Sequence, residues 1–327
     1  MSHLTAPAQA PNRFPFRRSV LNTFLATLLL GFLPLFTHAE PPLDPPFVNP
    51  PWPGRPTPSA DQPLPYGLRY VHEALPGAAN GGRAIGHVVL LPEGYDAPEN
   101  ADRRWPVLFF LHGRTGTEMA DFRFGTNYAR AAHEKRLPGL ILVFPNGMNE
   151  GYADRADGSM AVQTHIIREL LPFIDAMYRT LPAQRAVAGF SMGGYGAVRF
   201  RLKYPELFTH AVAIDSYLFS PRDTGGGYRS IFGSQNVKDA NAALSLLDAA
   251  LARDPALSKA INLLMIQAPH KPDSSSGTHA FVRALESRSI PVTSYDAPLA
   301  HDAALFYDRF EAEIMAFHRP FFSSPGP

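Results

Sequence analysis

Residues 187–197 read "VAGFSMGGYGA", a serine set among glycines directly after a short apolar run. Gly189-Phe190-Ser191-Met192-Gly193 fits G-x-S-x-G, with the strand "RAVAGF" before it and the helical pattern "YGAVRFRLKYP" after it. In that context the glycines leave room for a cramped bend that lifts the serine hydroxyl out of the sheet, while the following helix points its N-terminal dipole at the site. Ser191 is therefore the candidate nucleophile. The competing reading is the polar residue of an ordinary tight turn.

Around this stretch the chain alternates two kinds of segment. "GHVVLLP", "PVLFFLHG", "LILVFPNG", "RAVAGFS", "HAVAIDS", "INLLMIQAP" and "IPVTSYDAP" are short apolar runs, several of them bounded by proline or glycine, as strands buried on both faces require. Helical patterns fall over 160–178, 195–204, 238–253, 278–288 and 302–318; within the first, Ile166, Ile167, Leu170, Leu171, Ile174 and Met177 make one apolar stripe. This alternation predicts an α/β fold with a mostly parallel, doubly wound sheet, whose sites form beyond the carboxyl ends of the strands.

A serine hydroxyl needs a base and a group to orient that base, expected downstream of it in the order acid, then histidine. His301 follows the last strand and opens the final helix, at the same sheet edge as Ser191. His279 and His318 fall inside helical patterns, where solvated or packing roles are the ordinary ones. For the acid, Asp273 lies in the loop after "INLLMIQAP". Asp296 lies within a strand, Asp215 follows an earlier one, and Asp302 adjoins His301, where it would point away and cap the last helix. The oxyanion donors are expected to be the N–H of Met192 and, from "LHGRTG" (111–116), the N–H of Arg114, with Gly113 permitting close approach. His112 precedes the nucleophile and reads as a residue that shapes this loop.

Composition narrows the function classes. The 327 residues are 45% hydrophobic and 18% charged with a formal net charge of +1, enough to bury one sizeable core and without a basic stripe for nucleic acid. With no cysteine, thiolate catalysis, disulfides and cysteine-zinc sites are excluded. The expected chemistry needs no metal or cofactor.

Residues 1–39 carry Arg13, Arg17 and Arg18 ahead of the apolar run "VLNTFLATLLLGFLPLF", closing on Thr37-His38-Ala39. This is the pattern of an export signal, and "RRSVL" also resembles a twin-arginine signal, so the expected location is periplasmic or secreted. Against an uncleaved membrane anchor stand Pro34 and the short apolar length. From Pro41 to Pro65, 11 of 25 residues are proline, so 40–65 is expected to be an extended linker and 66–327 a single catalytic domain.

"LLPEGYDAPENADRRWPVLFFLHG", "YADRADGS", "RELLPFIDAMYRT" and "RAVAGFSMGGYGAVRFRLKYPELF" resemble the esterase D family of α/β-hydrolases over about residues 83–318. That family includes S-formylglutathione hydrolases, feruloyl and acetyl xylan esterases, siderophore esterases and the antigen 85 mycolyltransferases. The resemblance implies an α/β-hydrolase fold with Ser191 as nucleophile, His301 as base, and Met192 and Arg114 as oxyanion donors. Two departures touch the rest of the site. "APLAHD" lacks the family's glycines before the histidine, and "APHKPD" lacks the glycine of its acid loop. The expectation is an exported serine carboxylesterase with the triad Ser191, His301 and Asp273, acting on a small-molecule or glycan-linked ester. The alternatives are an acyltransferase on the same fold and a non-catalytic binding protein. Tyr217, Phe219, Tyr228 and Phe232, in the long connection 216–238, could stack on an aromatic or sugar ring or simply pack that loop.

Overall fold

The computed structural model describes residues 64–222, 228–269 and 272–324, with backbone alone over 272–276. The expected export signal (1–39) and all but the last two residues of the expected linker lie outside the described residues.

Eight strands form one sheet in the order β1-β2-β4-β3-β5-β6-β7-β8. They are β1 Arg69–Pro76, β2 Ala84–Leu91, β3 Trp105–Leu111, β4 Ile141–Pro145, β5 Thr180–Phe190, β6 His210–Ile214, β7 Leu263–Gln267 and β8 Val292–Asp296. β1, β2 and β4 pair antiparallel, and every pairing from β4 through β3 to β8 is parallel. All seven strands expected from apolar runs are present; β1 is an addition at the edge. Its partly exposed sequence "RYVHEALP" has no continuous apolar run, because an antiparallel edge strand is not buried on both faces.

The helices are α1 Phe122–His133, α2 Val162–Met177, α3 Met192–Lys203, α4 Tyr228–Phe232, α5 Gln235–Ala240, α6 Ala243–Arg253, α7 Pro272–Ser287, α8 Ala303–Arg309 and α9 Glu311–Phe322. α2 is continuous but passes through a π-helical turn at His165–Leu170. The pattern expected over 302–318 is interrupted at Phe310, where α8 ends. α1 was absent from the sequence expectation.

Alternate residues of each strand divide between two cores. On one face Val107, Phe109, Leu111, Val187 and Ala213 pack against α2, α3 and α6. On the other Leu108, Phe110, Ala188, Phe190 and Ile214 pack against α1, α8 and α9. The ring of Phe110 meets Phe124 at 4.0 Å and Tyr307 at 5.7 Å between centroids, tying β3 to α1 and α8. No helix among the described residues is long and apolar enough to cross a membrane.

Phe110→Ala empties the junction between these elements. It is expected to lower unfolding free energy by about 3–5 kcal/mol, read by denaturant titration. Burial also keeps three histidines neutral. His87 is pushed down to about 4 by burial and then by His165 and His72; His210 to about 4 by burial and then by Arg201; His318 to about 3 by burial and then by His210. Their folded values lie below the ordinary 6.5, so the unfolded chain takes up protons first as pH falls. Their contribution to stability is complete above 6.5 and is lost toward 4. Denaturant midpoints at about pH 7.5 and about pH 5 should fall in that order.

Candidate active site

β5 runs into α3 with one residue between them, and that residue is Ser191. Its φ of 54° and ψ of −113° lie outside the regions an L-residue occupies freely, a strain of about 1–3 kcal/mol that neighbours must hold in place. They do so through backbone bonds: Ser191 N–H donates to Ile214 O at 2.9 Å, and Ser191 O accepts from Tyr195 N–H at 3.2 Å. The flanking glycines are steric requirements. A Cβ on Gly189 would lie 2.3 Å from the Gly193 carbonyl carbon, and one on Gly193 would lie 1.8 Å from Leu111 O. The bend exists only because strand and helix backbones touch each other and the end of β3.

His301, in the loop between β8 and α8, reaches back over this bend. Its Nε2 lies 3.0 Å from Ser191 Oγ. Its Nδ1 hydrogen-bonds Asp215 Oδ2, and the imidazole stacks on Phe190 with centroids 4.7 Å apart. A carboxylate partner makes Nδ1 the protonated nitrogen, which leaves Nε2 to accept the serine proton. The side chain of Asp215 is 12% exposed and that of His301 38%.

The carboxylate that contacts His301 among the described residues is that of Asp215, where the sequence pointed to Asp273. Asp215 follows β6 with φ 41°; its N–H donates to Ile266 O at 2.6 Å and its Oδ1 accepts Ala268 N–H at 3.1 Å. The end of β7 thus braces a carboxylate delivered by β6, filling the position expected for an acid from the loop after β7. Asp273 lies in the first turn of α7, and its side chain is outside the described residues. The other candidates are engaged elsewhere. Asp302 accepts Ala304 N–H at 2.8 Å as the cap of α8, and Asp296 lies 3.3 Å from His279. His318 is fully buried against Phe322.

Met192 opens α3, where first-turn N–H groups lack intrahelical partners. Gly113 leads the other expected donor, Arg114, to the serine: a Cβ on Gly113 would stand 3.5 Å from Ser191 Cβ. A cleft of about 550 Å³ opens beside His301, its lining including Arg114, Met119, Phe122, Phe190 and Tyr307. Of the aromatic residues in the 216–238 connection, Phe219, Tyr228 and Phe232 are buried, and two of them, Phe219 and Tyr228, pack against Tyr195, so the packing reading holds for these three. Among the described residues no cluster of histidine and carboxylates could hold a metal ion.

Comparisons with known proteins agree with this architecture. Esterase Rv1288 of Mycobacterium tuberculosis is 36% identical over 143 residues, 42% of this chain and 30% of that protein. An acetyl esterase of Caldicellulosiruptor saccharolyticus is 30% identical over 135 residues, 40% of this chain and 49% of that protein. The chain thus spans half or less of the length of the curated relatives it matches. A solved structure of a ferulic acid esterase superposes with a TM-score of 0.68 at 20% identity, covering 78% of this chain and 99% of that one. The family model described as "Putative esterase" matches residues 79–262, more than half of the chain. The chain belongs to this esterase family and has the α/β-hydrolase fold.

Proposed function

We propose that this protein hydrolyses carboxylic esters through an acyl-enzyme on Ser191. The observation that carries the reading is the unbroken contact from Ser191 Oγ through His301 to Asp215. Ser191 Oγ attacks the ester carbonyl as His301 Nε2 takes its proton, and Asp215 stabilises the imidazolium through Nδ1–H. The N–H groups of Met192 and Arg114 receive the developing oxyanion. Collapse of the tetrahedral adduct expels the alcohol, which leaves with the proton from His301. Water then repeats the sequence on the acyl-enzyme and releases the acid.

The exposure of His301 favours water over an alcohol as acceptor, because transfer requires the site to exclude water. The names of the relatives suggest acetyl and ferulic esters as first substrates to try. Export belongs to the same reading, supported by the arginines and apolar run of residues 1–39. N-terminal sequencing of the mature protein tests it, with a start near Glu40 expected.

With p-nitrophenyl, feruloyl and acetylated-sugar esters, Ser191→Ala is expected to lower kcat on the order of 10⁶-fold. Asp215→Asn should cost about 10⁴-fold by misplacing the imidazole proton, while Asp273→Asn should stay within a few-fold of the parent. The reverse order would give the role back to Asp273. Equal rates for Ser191→Ala and the parent would end the esterase reading.

A further inference from the structure

His112 ends up beside the proposed site without touching the serine, and its hydrogen bonds are unusually determinate. The ring is buried, 2% exposed. Its Nδ1 lies 2.7 Å from Gly113 O, and its Nε2 accepts Gly147 N–H at 2.9 Å. A carbonyl can only accept and an amide N–H can only donate, so the two contacts together fix the neutral tautomer with the proton on Nδ1. Protonating Nε2 would set two donors against each other, and burial already pushes the imidazolium of His112 below its ordinary range.

Gly113 O and Arg114 N–H belong to one peptide unit, and in a trans peptide they point in opposite directions. Holding the carbonyl on one side therefore aims the Arg114 N–H on the other. Gly116 N–H adds a second bond to the same carbonyl at 3.0 Å. The preceding peptide is held too, because the buried Tyr152 hydroxyl donates to His112 O at 3.0 Å. The surface that supplies Gly147 N–H is itself braced. Asn146 Oδ1 accepts Met148 N–H at 2.8 Å, and Asn146 Nδ2 donates at 2.7 Å to Glu118, whose side chain is fully buried. Gly147 has to be glycine, since a Cβ there would lie 2.3 Å from the Tyr152 ring.

We propose that His112 is a positioning residue for the oxyanion donor: its Nδ1–H grips the Gly113 carbonyl and so aims the Arg114 N–H at the ester oxygen, while Gly147 N–H selects the tautomer able to do this. This inference rests on the esterase reading of Ser191. It predicts a defect confined to the transition state, since an oxyanion forms only there.

The test compares the full-length parent with His112→Ala and His112→Asn in hydrolysis of a p-nitrophenyl ester, alongside fluorophosphonate labelling of Ser191. His112→Ala is expected to lower kcat by about 10²-fold with KM changed less than about threefold and the acid limb of the pH profile unmoved. His112→Asn, whose Nδ2 amide can donate to the same carbonyl, should recover at least about tenfold of that loss, which a purely structural role would not require. If His112→Ala does not fold, nitrogen-15 NMR of the parent at neutral pH decides: a proton on Nδ1 and a bare Nε2 are expected. A proton on Nε2, or a folded His112→Ala that keeps its kcat, overturns the inference and leaves the esterase reading standing. A parent that neither hydrolyses esters nor labels at Ser191 overturns both.

Discussion

The conformation of Ser191 is the constraint on which the rest of the site depends. A φ of 54° with ψ of −113° is not a resting place for a serine, and it persists because Leu111 O, Ile214 O and the backbone of α3 leave the chain no other route. The same contacts that impose the strain position the chemistry. The end of β3 presses against Gly193 and carries Gly113 to the serine. The end of β6 holds Ser191 N–H and, one residue later, presents Asp215. Strained bend, Gly113 loop and carboxylate are thus consequences of a single packing event at the carboxyl ends of three neighbouring parallel strands.

Electrostatics divides this arrangement into a buried floor and an open roof. Glu118, Asn146, His112 and Tyr152 form hydrogen bonds largely away from solvent, where an unpaired polar group would be costly and a fully paired one is rigid. His301 sits at the surface above them, held by one carboxylate and one aromatic face rather than by enclosure. In the proposed reaction a base that exchanges protons with alcohol and water gains from that openness, and a donor that must not move gains from burial.

Much of the fold was legible because doubly buried strands write themselves as continuous apolar runs. Six strands, β2 to β7, and the turn at Ser191 follow from that grammar and from glycine sterics; β8, a largely exposed edge strand, and the loop bearing His301 after it were marked by the prolines that bound the run. β1 escaped it because it has no continuous apolar run, and α1 because its buried face includes Gly125 and Asn127 beside Phe124, Tyr128, Ala129 and Ala131, so no row of large aliphatic side chains marks it. Asp302 as a helix cap was readable from adjacency alone. The carboxylate was not: of the candidates, Asp215, Asp273 and Asp296 all lie between Ser191 and His301 and satisfied the order along the chain. What separates them is which one the positive φ at residue 215 and the N–H of Ala268 aim at the imidazole, a three-dimensional fact with no local signature.

The carboxylate that β6 presents to His301 is braced from the end of β7 by a main-chain donor, the N–H of Ala268. A main-chain donor is indifferent to which side chain stands at its position, provided that it is not proline, so this bond does not depend on the identity of residue 268.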